Sequence, residues 1–489
     1  MPRRTLITAD HVLVHDGSTH RELRDGAVVV ESGRIAYAGP ADQAPEDAAE
    51  RIDLGQSLLM PGLIDLDALT DIDHLQVDSW WDGAHSRRLT WSAEWFAQRR
   101  HVFTAEERAR VRQIALVQLA LHGITSYMPI ASEVHSEWAE SAEDFLAMAE
   151  FSRGLGLRGF LGPSYRSAVP VIADDDTREF RFEASEGEAG LADAIRFHDE
   201  VASWNDPLLT PVFLPCRIET LTPELMAATA RAAAERGALV RLHALQGLGE
   251  RDEVLRTHGC TPLELIERTG LLHDHLIVPH GVVIDIDPRV HGEDRGDLAT
   301  LSGAGVALVH CPLTNARYGS ELQTFARYRD AGIVFAMGTD SFPPDLIRGI
   351  DVGVSAAKVQ NGDLSMGDVA GYVDAATVGG AHALHRPDLG RIAVGATADL
   401  TAFRLDDVRT GPIDDPIRAL ILAGSARDAR LTMVGGRVVM RDGEIPGIDL
   451  DEIRRDAQRL FERMRDAYAL RDHRGGTVEE LFPPVFPRV

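Results

Sequence analysis

Eight apolar runs, each closing on polar residues and separated by stretches with helix signals, constrain this chain more than any other feature of its sequence. They span 58–69, 123–131, 157–165, 209–218, 238–246, 276–284, 305–315 and 332–341, with helix-like stretches such as 105–122, 222–236 and 297–303 between them. Runs that are apolar on both faces suit parallel strands covered on both sides. Eight strand–helix repeats in this order predict an α/β fold, a (β/α)8 TIM-like barrel. An open doubly wound sheet is the competing architecture. It usually carries a Gly-rich first turn for a nucleotide, and Gly62-Leu63-Ile64-Asp65 is not one.

The two ends of the chain read differently. Short Val/Ile/Ala-rich strands at 6–14, 27–31 and 34–38, punctuated by Asp25-Gly26 and Ser32-Gly33, have counterparts at 398–405, 431–434 and 437–440 around Gly435-Gly436. These pieces are expected to pair into one small β-sandwich domain, 1–58 plus 390–445, with the barrel, 59–389, inserted between them. The tail, 446–489, carries an amphipathic Arg/Glu-rich helix over 451–470, read as solvated or subunit-packing. The long first link after the first run is aromatic, with Trp80, Trp81, Trp91, Trp95 and Phe96, and reads as a capping loop.

Composition narrows the function classes. The chain has 489 residues and a net charge of −26, so nucleic acid and anionic membranes are poor partners and a small-molecule substrate is expected. No apolar run approaches a membrane span, and the first ten residues lack the apolar core of a signal peptide. Cys216, Cys260 and Cys311 make neither a zinc-knuckle spacing nor a disulfide framework, which favours a reducing cytoplasm. Lys358 is the sole lysine, and no Gly-Lys-Ser/Thr phosphate loop exists, so P-loop and kinase-like chemistry is set aside.

In a barrel of this kind the C-terminal strand ends line the mouth. The first strand offers Asp65, Asp67 and Leu69 there, the fifth His243 and Gln246, the sixth His280, the seventh His310 and Asn315, and the eighth Asp340. Each has an ordinary structural reading: a hydrogen-bonded core histidine, a turn residue, a helix cap, a strand end broken by Pro312. Falling together on successive strand ends, the imidazoles and carboxylates make an N/O site for zinc or another divalent metal.

The stretches Leu59-Met60-Pro61-Gly62-Leu63-Ile64-Asp65, Leu242-His243, Pro279-His280-Gly281, His310-Cys311-Pro312-Leu313-Thr314-Asn315 and Gly338-Thr339-Asp340-Ser341 carry a family resemblance. So does the return Leu389-Gly390-Arg391-Ile392-Ala393-Val394-Gly395-Ala396-Thr397-Ala398-Asp399-Leu400. The chain resembles the amidohydrolase superfamily, in particular its branch of cyclic-amidine deaminases and triazine and cytosine aminohydrolases. The resemblance implies a barrel with a flanking β-sandwich and a hydrolase acting on a non-peptide carbon–nitrogen bond.

Three departures qualify it. The family's first strand ends in His-x-His, which would fall at positions 67 and 69, where Asp67 and Leu69 stand. The literal His273-Asp274-His275 precedes the sixth strand and falls on the wrong side of the barrel. The family's His-x-x-Glu reads His243-Ala244-Leu245-Gln246, and a glutamine amide hydrogen-bonds but does not carry a proton. Glu250 or Asp252 is a candidate replacement. A two-metal site bridged by a fourth-strand carboxylated lysine is ruled out, because Lys358 follows the eighth strand.

The resemblance then implies one divalent ion held by Asp67, His243, His280 and Asp340. Zinc is expected, with manganese or iron made more competitive by the second carboxylate. Asp340 is expected as general base, His280 as the group polarising the attacked carbon's substituent, and Gln246 as a hydrogen-bonding catalytic residue. His310, Asn315, Asp73 and His74 are the candidate substrate-binding residues, and similar proteins suggest a homodimer. Two alternatives stay open: a metal-independent acid–base enzyme on the same fold, and a non-catalytic homologue used for binding or oligomerisation. Asp67 pointing into the mouth beside His243 would favour the metal; Asp67 paired with an arginine would count against it.

Overall fold

The structure is a computed structural model that describes residues 4–72, 88–90, 92–98, 101–130, 138–173, 177–290, 293–320, 322 and 325–487. Both chain ends build one eight-stranded sheet. Its N-terminal part is a meander of Arg4–His15, His20–Glu31 and Arg34–Pro40, followed by Glu50–Asp53 and Ser57–Pro61. Leu400–Arg404 then pairs antiparallel with Ser57–Pro61, and Ala429–Val434 and Arg437–Arg441 continue outward. Residues almost 340 positions apart thus share a ladder, Leu400 opposite Pro61.

Two tight turns in this sheet show why their residues are needed. Ser32 and Gly33 have φ of 52° and 79°, and Gly435 and Gly436 have 54° and 77°, the paired left-handed conformation that joins twisted antiparallel strands. The turns also touch: a Cβ on Gly33 would lie 2.9 Å from the Gly435 carbonyl oxygen. Ile7, Val12, Val28, Val30, Leu59, Leu400 and Leu431 form the apolar layer of this part.

The middle of the chain is mixed α/β. Each of the eight apolar runs contains a strand, and the strands pair in parallel. Leu63–Leu69, Ile124–Ile130, Arg158–Leu161 and Leu209–Pro211 form one four-stranded sheet; Val240–Arg241, Leu276–Pro279, Ala307–His310 and Val334–Met337 form another. A parallel bridge from Phe213 to Val240 links them on one side. On the other, the Asp340 N–H donates to the Asp67 carbonyl at 2.8 Å.

Helices fill the connections where capping chemistry starts them. Thr104 and Glu107 make a reciprocal capping box for Ala105–Leu121, and Thr261 and Glu264 do the same for Pro262–Arg268. The first-link aromatics that are described, Trp95 and Phe96, lie on a short helix, Ala93–Ala97, and pack with Trp138, Val169 and Val171; Trp80, Trp81 and Trp91 lie outside the described residues.

The two parts are held by a fully buried fork. Arg158 donates through Nε and Nη2 to the two Asp399 oxygens, at 2.8 and 3.1 Å, tying a parallel strand to the terminal sheet. The tail helix, Leu450–Arg471, packs on its own chain: it buries Ile453, Leu460, Met464 and Tyr468, and meets Ala105–Leu121 through Arg110–Glu452, Arg110–Asp456 and Glu107–Arg463 ion pairs. Among the described residues no helix is long and apolar enough to cross a membrane.

Candidate metal centre

The strand Leu63–Leu69 is buried at every position, so alternate residues project to opposite faces of a packed sheet. A register irregularity between Asp65 and Ala68 breaks that alternation, so the Asp67 carboxylate meets Arg241 and His243 while the Asp65 carboxylate meets Thr339. The Asp65 carboxylate accepts the Thr339 N–H at 3.0 Å, the Thr339 hydroxyl at 2.6 Å and the Asp67 N–H at 3.1 Å. It pins the first strand end to the Gly338-Thr339-Asp340 turn, and burial pushes its pKa up to about 7. Gly338 is required here by close approach: a Cβ there would lie 2.5 Å from the Asp67 Cβ.

Asp67 is the hub. Its Oδ1 lies 3.1 Å from Arg241 Nη1 and 3.4 Å from His243 Nε2; its Oδ2 lies 3.9 Å from His280 Nε2 and accepts the Cys311 thiol at 3.6 Å. Burial alone would raise the Asp67 pKa, but His243, Arg241 and His280 outweigh it and hold the carboxyl below the ordinary range. The structure therefore shows both arrangements the sequence set against each other: Asp67 faces His243 and His280, and it is also paired with an arginine.

His280 sits at φ +70° and Asp340 at φ +41°, left-handed conformations that non-glycine residues adopt at a cost. The His280 side chain faces Asp67, and the Asp340 carboxylate faces His280. His280 Nδ1 lies 3.1 Å from Asn315 Oδ1, which takes its proton and leaves the Nε2 lone pair facing inward. That Nε2 is buried without a hydrogen-bond partner, 3.9 Å from one Asp67 oxygen and 3.8 Å from Asp340 Oδ2. Burial lowers the His280 pKa to about 4, so the ring is neutral near pH 7. A neutral lone pair facing two carboxylates is unfavourable unless a cation lies between them.

The donor set fits a divalent ion. Ligands about 2.0–2.2 Å from a tetrahedral zinc stand about 3.3–3.6 Å from one another. One ligand atom each of Asp67, His243 and His280 lies within 4.8 Å of the others. Asp340 meets this set through its carboxylate beside His280 and through its backbone N–H on the Asp67 carbonyl, and its side chain is 20% exposed, so it stands at the open side. Three protein donors with a carboxylate at the open position is a catalytic rather than a closed structural pattern.

Other expected residues flank this set, with His310 and Asn315 both beside His280. His310 packs its ring 6.1 Å from Phe325 and 5.9 Å from Tyr372, outside the three-residue set. Asn315 serves His280. Leu69 adds no ligand, and Asp73 and His74 lie outside the described residues. His273, Asp274 and His275 form a separate potential metal group at the opposite strand ends, where a cavity of about 980 Å³ opens beside Asp274, His382 and His385.

Near Gln246 the carboxylate chemistry comes from two residues displaced from position 246. Glu250 accepts the Leu245 and Gln246 N–H groups at 2.7 and 3.0 Å, and Glu219 accepts from Arg217 while its Oε2 stays buried without a partner. Burial first, and then Glu219, push the Glu250 pKa up to about 8. A folded-state pKa raised above the unfolded value stabilises below about pH 4.5, and this contribution is lost as pH rises through about 8. The urea midpoint of Glu250→Gln, measured from pH 5 to 9, is expected to gain on that of the unsubstituted protein up to about pH 8 and to level off above it; a pH-independent difference would contradict the assignment.

Arg241 is the residue the sequence reading missed. Its signal was a lone charge in the run Leu239-Val240-Arg241-Leu242-His243, two positions before His243 and so on the same face of an extended strand.

A family model described as "Amidohydrolase family" matches residues 58–439. A 5-methylthioadenosine/S-adenosylhomocysteine deaminase of Halobacterium salinarum is 28% identical over 466 residues, covering 93% of this chain and 96% of its own. An 8-oxoguanine deaminase of Pseudomonas aeruginosa is 26% identical over 87% of this chain and 92% of its own. A solved adenosine deaminase from Xanthomonas campestris, with bound zinc, superposes with a TM-score of 0.74 at 22% identity, over 95% of this chain and 99% of that one.

Proposed function

Because the chain belongs to the amidohydrolase family, we propose that it is a one-metal hydrolase of a small molecule, cleaving a non-peptide carbon–nitrogen bond as a ring deaminase or cyclic amidine hydrolase does. The observation that carries the reading is the unpartnered His280 Nε2, buried among Asp67, His243 and Asp340. The named relatives, deaminases of purine-type rings, support the same reaction class. On this reading the two parallel sheets close into a (β/α)8 barrel over 59–389. Residues 1–58 and 390–445 form the flanking β-sandwich domain, and 446–489 the helical tail.

Asp67, His243 and His280 would hold the ion. When bound, it supplies Lewis acidity that lowers the pKa of water and polarises the attacked C=N or C=O carbon. Asp340 accepts the water proton at its carboxylate and is placed to return it to the departing amine. Asn315 keeps His280 in the tautomer whose Nε2 lone pair faces the centre. Gln246 contributes a hydrogen bond to the substrate and no proton. Asn315→Ala is expected to weaken zinc binding about 10–100-fold, the usual cost of losing such an orienting partner; calorimetric titration with unchanged affinity would remove Asn315 from this role.

The Arg241–Asp67 pair favours a second reading, metal-independent acid–base chemistry by Asp340 and His280. Ammonia release from 5-methylthioadenosine, S-adenosylhomocysteine, 8-oxoguanine and an aminotriazine separates the two. The metal reading expects release that a chelator abolishes and zinc or manganese restores. Release that survives chelation, and is lost in Asp340→Asn, would replace it with the second.

A further inference from the structure

Arg241 is an unusual neighbour for a metal centre. Its side chain is 2% exposed, its Nη1 is 3.1 Å from Asp67 Oδ1, and its Nε has no hydrogen-bond partner. Asp67 and Asp340 both act on it electrostatically, with the buried thiols of Cys216 and Cys311 nearby. The guanidinium is thus a permanent cation set among the groups that would hold a divalent ion. Two carboxylates and a divalent ion cancel in charge; with Arg241 the centre keeps one net positive charge. Without the ion, Arg241 is the cation that faces Asp67.

Resting on the one-metal reading above, we infer that Arg241 is a resident counter-cation of this centre: it holds Asp67 in ligand position when no ion is present, and it opposes the incoming ion, so that the metal is held weakly and exchangeably. The physical basis is the low-dielectric interior. A unit cation bonded to a ligand carboxylate stands only a few ångströms from the ion's position and is screened little there. It also takes part of the Asp67 electron density that the ion would otherwise use. Arg241 acts through Asp67 and is a positioning residue.

The test is zinc affinity, read by competition with a chromophoric chelator, in the full-length protein and three variants. Arg241→Gln keeps an N–H donor for Asp67 and removes the charge; Arg241→Met removes both; Arg241→Lys keeps the charge. Zinc is expected to bind tenfold or more tightly to the Gln and Met variants and within about threefold of the starting affinity to the Lys variant. In thermal melts without metal, the Gln variant is expected to unfold at lower temperature and to gain more from added zinc. If Arg241→Met does not fold, the Gln–Lys comparison alone decides. Equal or weaker zinc binding by the Gln variant would overturn the Arg241 inference while leaving the one-metal reading intact. No zinc or manganese binding by any form, the starting protein included, would overturn both.

Discussion

Replacing Asp67 by alanine is expected to lower folding stability by about 3–5 kcal/mol, the usual consequence of leaving one partner of a buried ion pair uncompensated. Arg241 is the reason. It is buried at 2% exposure, and Asp67 Oδ1 is the carboxylate oxygen it contacts. A cavity left by the carboxylate adds to the cost. Asp67→Asn keeps an oxygen for Arg241 and should lose less. The double variant Asp67→Ala with Arg241→Met removes both charges and should recover much of the loss, because replacing a whole buried pair by apolar groups is often close to neutral. Urea denaturation of the four proteins measures this directly. A single Asp67→Ala variant as stable as the starting protein would show that the 3.1 Å contact is not a compensating ion pair.

The largest effect on turnover is expected at Asp340. Asp340→Asn should reduce turnover of any substrate found by about 10²–10⁴, the range for a positioned general base. The substitution is conservative for the fold. The contacts of Asp340 to Asp67 and Thr314 run through its backbone N–H and C=O, and asparagine tolerates the φ of +41° better than most residues. Zinc content and melting temperature should therefore change little. A variant that keeps its turnover would move the base elsewhere, and a variant that loses its metal together with its turnover would make Asp340 a ligand rather than a base.

Much of this was readable from the chain, and the pattern of what was not is physical. The runs at 58–69 and 332–341 could be read because a strand covered on both faces has few alternatives, and because their polar ends had to face the same side. That placed Asp67, His243, His280 and Asp340 in one region, where the structure brings Asp67, His243 and His280 together. The pairing of 398–405 with the first strands was legible from matched β composition, and it appears as the Leu400–Arg404 to Ser57–Pro61 ladder. Period-two alternation assigns a face, but not what a side chain meets there. His310 ends its strand as expected, and the sequence did not show that its ring packs beside Phe325 and Tyr372 next to His280. Asn315 was read as a substrate contact, and its contact with His280 Nδ1 was not foreseen, because the turn of helix Pro312–Arg317 carries it back over the sixth strand end. The tail helix was read as solvated or subunit-packing, since amphipathicity does not say whose surface covers the apolar stripe; its partner proved to be Ala105–Leu121. Arg241 was hidden in an apolar run, and only the fold shows that its charge meets Asp67.

The central claim is that Asp67, His243 and His280 hold one divalent ion beside Asp340. Equilibrium dialysis against zinc, followed by elemental mass spectrometry, tests it most directly on the starting protein and on Asp67→Ala. About one zinc per chain in the first and a clear loss in the second is the result expected from these three donors. No zinc retained by the starting protein, with manganese and iron also failing to bind, would contradict the account and leave the Arg241–Asp67 pair as the resident chemistry of the site.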